Sequence, residues 1–342
     1  MDFGVEAAGG HVIFSNDVLA NACKTLAEYF PGADIRNADI SSIQSFPEAD
    51  IVVGGYPCQS FSMAGNRDPK TDDRTNLYKQ FLRVISVVLP KYFVAENVSG
   101  LKALSSGTFL REQLEAYDLA GYNVTQKLLN AKDYGVPQSR KRLFIVGVRK
   151  DLNQVFEFPQ QTHGKTTKVT GPLLPYVSHG DVIKDLPLWP QGDFYERPHD
   201  PNGHFSWYYM SRNRKAMWAD PAFTVVANWR HITLHPASPV MTLTWSNLAD
   251  GWKQRWDFSD QYEHTEANPE RQMLQTPRRL SWRECALIQT FDANFTPVGD
   301  TQSKFTQIGN AVPPRLAKAI FTHLFSGEGL VSLAVANIRK TA

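Results

Sequence analysis

The chain has 342 residues, enough to bury a large core and to form two domains or one domain with a lobe. Hydrophobic residues make up 42% and charged residues 20%, an ordinary globular balance, and a formal net charge of +2 excludes a global basic field. Contact with nucleic acid must then come from local clusters. Three cysteines (Cys23, Cys58, Cys285), far apart and odd in number, argue against a disulfide framework and a metal site, and point to a reducing, cytoplasmic setting. No apolar run of about eighteen residues and no basic-then-apolar leader is present, so neither a membrane span nor a signal peptide is expected.

Met1 to Gly10 reads as a helix already under way that ends on glycine. His11 to Phe14 reads as a strand ending at Ser15-Asn16-Asp17. Asp17 then has two readings, a helix N-cap for Val18 to Phe30 or an acidic strand tip of the kind that takes a ribose. Asp39, before Ile40, is either a turn residue or an acceptor for an adenine amino group. Ile51-Val52-Val53 reads as a buried strand broken by Gly54-Gly55. Ligands of open α/β sheets sit at the carboxyl ends of strands, and there the chain places Tyr56-Pro57-Cys58-Gln59-Ser60-Phe61-Ser62. A lone cysteine is by default a buried structural one. The strand end, the adjoining Gln59 and the small-polar run from Ser60 to Gly65, read as a surface loop, favour a nucleophile.

Leu77 to Leu89 has helical periodicity and stops at Pro90. Tyr92 to Ala95 is the next buried strand and delivers Glu96-Asn97-Val98. A carboxylate after four apolar residues must be paired, or be a group whose pKa rises on burial and which can give a proton to a ring nitrogen. Helix Phe109 to Ala120 and strand Val124 to Leu129 follow, then Gln138-Ser139-Arg140-Lys141-Arg142 leads into strand Leu143 to Val148. Arg140 and Arg142, two apart, are expected to point the same way, either into solvent or at a carbonyl or phosphate. From about Phe158 the strand–helix alternation ends and Pro, Gly, His and Trp become dense. In that region Arg212 and Arg214 lie beside Trp207, Tyr208 and Tyr209, and Asn228-Trp229-Arg230-His231 follows. Basic residues interleaved with aromatics and amides suit base-edge and phosphate contacts, or form a solvated loop face. Helical order returns at Ser281, and the chain closes on Gly309-Asn310-Ala311-Val312-Pro313 and an amphipathic helix, Leu316 to Phe325.

A thiol, a buried carboxylate and an arginine pair at the ends of one parallel sheet suit methylation of cytosine C5. A thiolate adding to C6 while N3 is protonated turns C5 into an enamine carbon that can attack a methyl sulfonium. Cys58 would add, Glu96 would hold N3, and Arg140 with Arg142 would hold O2 and nearby phosphate. The ring face is closed in a stacked duplex, so the base must be flipped out, and the loop from Ser60 to Arg74 could close over it.

Pro57-Cys58-Gln59, Glu96-Asn97-Val98, Gln138-x-Arg140-x-Arg142, Arg279-Leu280-Ser281-x-Arg283-Glu284-Cys285-Ala286 and Gly309-Asn310-Ala311-Val312-Pro313 occur in that order. With these blocks the chain resembles the bacterial DNA cytosine-5 methyltransferases of restriction–modification systems. The resemblance implies a Rossmann-like α/β catalytic domain over 1–157, an irregular target-recognition domain over 158–276, and a return segment over 277–342. It implies S-adenosyl-L-methionine as cofactor, with Asp17 on the ribose, Asp39 and Ile40 on the adenine, and Pro57, Leu77, Asn310 and Val312 completing the site. Double-stranded DNA is the implied partner, contacted by Gln59, Ser62, Arg212, Arg214, Asn228 and Arg230. A monomer paired in function with a restriction endonuclease, without a stable complex, is the family expectation.

Met210 to Arg214, Pro221 to Val225 and Leu234-His235-Pro236 are similar to enzymes that methylate the internal cytosine of GGCC, whereas Val226 to His231 departs from them among the base-reading positions. Tyr56 stands where relatives carry proline, a change expected to be tolerated. Relatives begin with a strand and a Phe-x-Gly-x-Gly-Gly loop, and Met1 stands about where that loop should end. The expectation is a sheet without its first strand and a weakened cofactor pocket that a dozen or so upstream residues would restore. Two rivals remain, an RNA cytosine-5 methyltransferase, against which the Trp-rich region argues, and a catalytically impaired DNA-binding module.

Overall fold

The computed structural model describes residues 1–56, 77–102, 107–165, 172–190, 192, 205–248, 251–264 and 272–334. The chain divides into two compact units, one of Met1–Asn130, Lys141–Gln160 and Leu316–Ala342, the other of Ala131–Arg140 and Gln161–Arg315. The change of texture near Phe158 falls close to the passage between them. Residues 277–315, assigned above to a return segment, group with the second unit, and the chain comes back to the first only at Leu316.

The first unit opens with α1 (Asp2–Ala7), closed by Gly9 at φ +90°. Strand β1 (Phe14–Asp17) begins three residues later than its apolar start predicts, because the Val12 N–H donates to Glu6 Oε1 at 2.8 Å instead of to a ladder. Helix α2 (Ala20–Tyr29) leads to β2 (Asp34–Asn37), which pairs in parallel with β1. Strand β3 (Ile51–Gly54), helix α3 (Leu77–Val88) and strand β4 (Tyr92–Val98) form a parallel βαβ pair. Helix α3 packs Phe81 so close to β3 that a Cβ on Gly54 would stand 2.6 Å from its ring. Helix α4 (Thr108–Leu119) precedes β5 (Tyr122–Asn130) and β6 (Lys141–Arg149).

The sheet departs from the single parallel one expected. Its order is β3-β4-β6-β5, β6 runs antiparallel to both neighbours, and β1–β2 form a ladder of their own. Among the described residues no strand joins β1 to β3. Phe81, Ile85, Phe93, Tyr117, Tyr122 and Ile145 fill the core beneath. Strand β7 (Gln154–Phe156) ends this part of the unit.

The second unit is irregular, with short helices α5 (His179–Ile183) and α6 (Trp207–Met210) and a hairpin, β8 (Met241–Leu248) with β9 (Gly251–Phe258). Residues opposite one another share a face, so Met241, Phe258 and Trp256 pack at the hairpin base on Tyr209 and Leu234, while Trp245 and Trp252 near its tip are exposed. Helices α7 (Trp282–Ile288) and α8 (Thr301–Asn310) follow, α7 opened by a reciprocal cap between Ser281 and Glu284. Helix α9 (Pro314–Phe325) and β10 (Leu330–Ser332), antiparallel to β7, return the chain to the first unit. There Gly4 of α1 lies directly on Ala317 and Lys318 of α9, with no room for a Cβ. Among the described residues no helix is long and apolar enough to cross a membrane.

Candidate active site

Alternation along β4 explains Glu96. Phe93 and Ala95 face the core packed by α3 and α4, so Glu96 emerges on the opposite face, near the carboxyl end of the strand. Because β6 runs against β4, its first residues stand at that same end, and the register sets Arg142 opposite Val98. The Arg142 Nε lies 2.8 Å from Glu96 Oε1, with the two side chains only 15% and 12% exposed. Burial pulls the guanidinium pKa down, opposed by the Glu96 charge and hydrogen bond. Its Nη1 donates to the Lys141 carbonyl at 2.8 Å, which fixes the direction of the fork. At the end of β3 the backbone passes beside this pair, since a Cβ on Gly55 would meet Glu96 Oε2 at 3.4 Å. Asn97, 2% exposed, donates from Nδ2 to the Tyr56 carbonyl at 3.2 Å, and so ties the tip of β4 to the residue that follows Gly55. Pro57, Cys58, Gln59 and Ser62, and the loop from Ser60 to Arg74, lie outside the described residues. Leu77, half-buried, opens α3.

At the carboxyl ends of β1 and β2, Asp17 stands opposite Asn37, whose Nδ2 donates to the carbonyls of Asp17 and Val18. Asp17 is not the N-cap of α2. Its Oδ1 accepts from the Leu19 N–H at 2.8 Å, which turns the chain, and the helix starts at Ala20 with Leu19 as its cap. Burial pushes its carboxyl up from the ordinary range. Asp39 caps the short turn Ile40–Ser42, accepting from Ser41 N and Oγ, and those bonds hold its carboxyl down. Two carboxylates at the tips of adjacent parallel strands, with half-buried Ile40 beside the second, are acceptors and apolar surface of the kind an adenosyl group needs. Asn310, the exposed last residue of α8, and buried Val312 belong to the second unit.

Arg140 departs from its expected task. It precedes β6 rather than lying in it, is 2% exposed, and donates through Nη1 to the Val225 carbonyl at 2.8 Å and through Nη2 to the Gly309 carbonyl at 2.9 Å. The two arginines therefore do not share a target. Gln138, fully buried, works with it, since Oε1 accepts from Val225 N and Nε2 donates to Gln289 Oε1, both at 2.8 Å. Gln289 in turn donates to the Ile308 and Ala311 carbonyls. Gly309 lies against Val226 and Ala227 so closely that a Cβ would overlap their backbone. In sequence Gln138 stood out only as part of the Gln138-x-Arg140-x-Arg142 block and Gln289 not at all, since an amide flanked by ordinary residues carries no sign of such partners.

Held by this clamp, the chain from Val225 runs into exposed Asn228 and Arg230. Asn228 caps the turn Trp229–His231 by accepting from Arg230 N at 3.0 Å, and the Arg230 guanidinium lies 5.4 Å over the Trp229 ring. Arg214 rests over the Tyr209 ring at 4.9 Å, with Nε on the Tyr209 carbonyl, while Arg212 is exposed. Leu234 and His235, in a segment similar to GGCC enzymes, are core residues at 0% and 2% exposure. Glu284 of the Arg279–Ala286 block is likewise structural. It takes both Nη groups of Arg278 at 2.9 and 2.7 Å, the Ser281 N–H at 2.7 Å and the His235 ring at 3.5 Å.

Comparison with known proteins shows the family to which the chain is similar. Type II methyltransferase M.BspRI of Lysinibacillus sphaericus is 38% identical over 321 residues, which cover 91% of this chain and 68% of that protein. M.FnuDI of Fusobacterium nucleatum is 35% identical over 329 residues, 94% of this chain and 89% of that protein. Among solved structures, S. pombe Dnmt2 methyltransferase superposes with a TM-score of 0.59 at 16% identity, covering 95% of each chain, and shares the fold. Spodoptera frugiperda DNMT2 gives 0.58 at 16% identity over 94% of this chain and 95% of that one. The C-5 cytosine-specific DNA methylase family matches residues 1–326, and the chain belongs to that family of S-adenosyl-L-methionine-dependent DNA methyltransferases.

Proposed function

We propose that the chain methylates C5 of a cytosine flipped out of double-stranded DNA, within GGCC, with Cys58 as nucleophile. The observation that carries this is the Glu96–Arg142 pair beside Gly55, three residues before Cys58. The Cys58 thiolate forms a bond to C6 of the ring. Glu96 holds N3 and the proton that N3 takes up, and Arg142, locked to Glu96, presents its remaining N–H groups toward O2. The electron pair then resides at C5, which takes the methyl group. A base removes the C5 proton, the C5–C6 double bond reforms and Cys58 leaves as thiolate. S-adenosyl-L-methionine, when bound, would supply the methyl group from its sulfonium, the S–CH3 bond breaking to release a neutral thioether that needs no further activation. Asp17 and Asp39 would hold its ribose and adenine, with Asn310 and Val312 as further contacts. Gln59, Ser62, Arg212, Arg214, Asn228 and Arg230 are the proposed DNA contacts, and the biological role is protection of that site from a restriction endonuclease.

Bisulfite sequencing of plasmid recovered from expressing cells tests this directly. The expected result is methylcytosine confined to one short motif, GGCC, and none with Cys58→Ala. An unmethylated plasmid with soluble wild-type protein present would instead support the impaired DNA-binding module, for which Cys58→Ala would change nothing in DNA affinity.

A further inference from the structure

Tyr56 is the last described residue before the Cys58 segment, and it is held from three sides. Its carbonyl accepts from Asn97 Nδ2 at 3.2 Å. Its hydroxyl donates to Gln113 Oε1 at 2.7 Å and accepts from the Tyr117 hydroxyl at 3.2 Å. Its ring meets Phe81 at 5.9 Å between centroids. Gln113 and Tyr117 both lie on α4 and both are 0% exposed. They are four apart, one above the other on the buried face of that helix, which makes them a two-point receptor for a single hydroxyl.

Packing alone does not account for this cluster. Phenylalanine at 56 would meet Phe81 equally well, and leucine at 113 would fill the helix face without an amide. The Gln113 amide nitrogen makes no hydrogen bond among the described residues, so the residue bears a desolvation cost for which its acceptor bond to Tyr56 is the evident return. Burial pushes the Tyr117 hydroxyl well above its ordinary range, so it stays protonated and remains a donor. Where relatives are expected to carry proline, whose ring fixes a backbone torsion from within, this chain fixes the same residue from outside through its side chain.

We infer that Tyr56 is a positioning residue for the Cys58 thiol, anchored by Gln113 and Tyr117 of α4 and by Asn97 of β4. The inference rests on the reading of Cys58 as nucleophile. Tyr56 stands two residues before Cys58, so its anchors fix the direction in which the chain leaves β3 toward the nucleophile, and misplacement of a reacting group by about 1 Å can cost about a hundredfold in rate.

Tyr56→Phe tests it, since the ring stays and both hydroxyl bonds go. Steady-state methylation is expected to show kcat lowered about tenfold, with KM for DNA and for cofactor within about twofold of wild type. The alkylation rate of Cys58 by iodoacetamide in the free enzyme should shift as well. Cys23 and Cys285 are buried, so the fast-reacting thiol is assigned by comparison with Cys58→Ala. Gln113→Leu should reproduce part of the kcat loss, and the double variant should be no worse than Tyr56→Phe alone, because that substitution already breaks the bond to Gln113. If Tyr56→Phe does not fold, Tyr117→Phe leaves Tyr56 whole and strips one bond, and a smaller loss in kcat is then expected. A kcat within about twofold of wild type in the folded variant, or losses that multiply in the double variant, overturns the inference. Full activity in Cys58→Ala would instead remove the nucleophile reading on which it rests.

Discussion

A guanidinium bound to two backbone carbonyls in a buried site acts on the fold, and one bound to a carboxylate at a strand end is the one that the proposed function assigns to the substrate. Arg140 is of the first kind and Arg142 of the second. Arg140→Met would strand the Val225 and Gly309 carbonyls in the interior, and urea unfolding should show a loss of about 2–4 kcal/mol. Arg142→Met should leave the urea midpoint nearly unchanged and lower kcat about a hundredfold, through the lost electrostatic contact and the released Glu96. Equal effects of the two substitutions on kcat, at equal stability, would sink this division of labour. The places of Glu96 and Arg142 at strand ends were legible in the sequence because each follows or opens an apolar run. Arg140 was not, because its partners lie 85 and 169 residues away, and nothing local distinguishes a clamp from a contact.

Most strands and helices of the first unit were legible to within a few residues, since period-two and period-3.6 patterns and Pro90 mark them, whereas β2, the β8–β9 hairpin and α8 were not read. Strand direction was not legible. An apolar run reads the same either way, and only the pairing of β6 between β4 and β5 reveals that its beginning meets the end of β4. Had β6 been parallel to β4, Arg142 would stand at the opposite end from Glu96. The same limit applies to Gly309, read in sequence as part of a cofactor segment. In the structure its missing side chain lets α8 end against Val226 and Ala227, the backbone that leads to Asn228. Gly309→Ala should therefore destabilise the second unit by about 1–3 kcal/mol in urea melts, because the obstacle is main chain and cannot rotate aside. A variant as stable as wild type would show that this segment gives way easily.

At the scale of the molecule, the second unit is held by buried ionisable groups as well as by Trp218 and Trp282. Burial pulls His179 from 6.5 to about 4 and lowers His235 in the same direction. Burial alone would raise Glu284, but His235, Arg278 and the Ser281 N–H outweigh it and hold the carboxyl below its ordinary value. Above about pH 7 the histidines are neutral in both folded and unfolded chains and contribute nothing to pH dependence. As pH falls below 6.5 the unfolded chain takes up protons that the folded unit refuses, so stability drops progressively toward pH 4. Glu284 adds a second loss below 4.5, once unfolded carboxylates protonate. The urea midpoint is expected to be lower at pH 5 than at pH 7, with His179→Asn showing a shallower fall, and a midpoint flat across that range would contradict the burial assigned to these rings. The onset of Pro, His and Trp near Phe158 lies close to the start of this unit. Residues 277–315 look regular in sequence but are tied into the unit by long-range polar contacts such as Gln138 to Gln289.

The seating of Gly4 on Ala317 and Lys318 has a consequence for the order in which the protein can be made. During synthesis α1 emerges well before the surface it packs on, which is translated more than three hundred residues later. The second unit, whose last residue is Arg315, can complete itself while the first still waits for its closing helix. A chain ended at Arg315 and released from the ribosome should thus present a protease-resistant second unit alongside a first unit that is still open to cleavage.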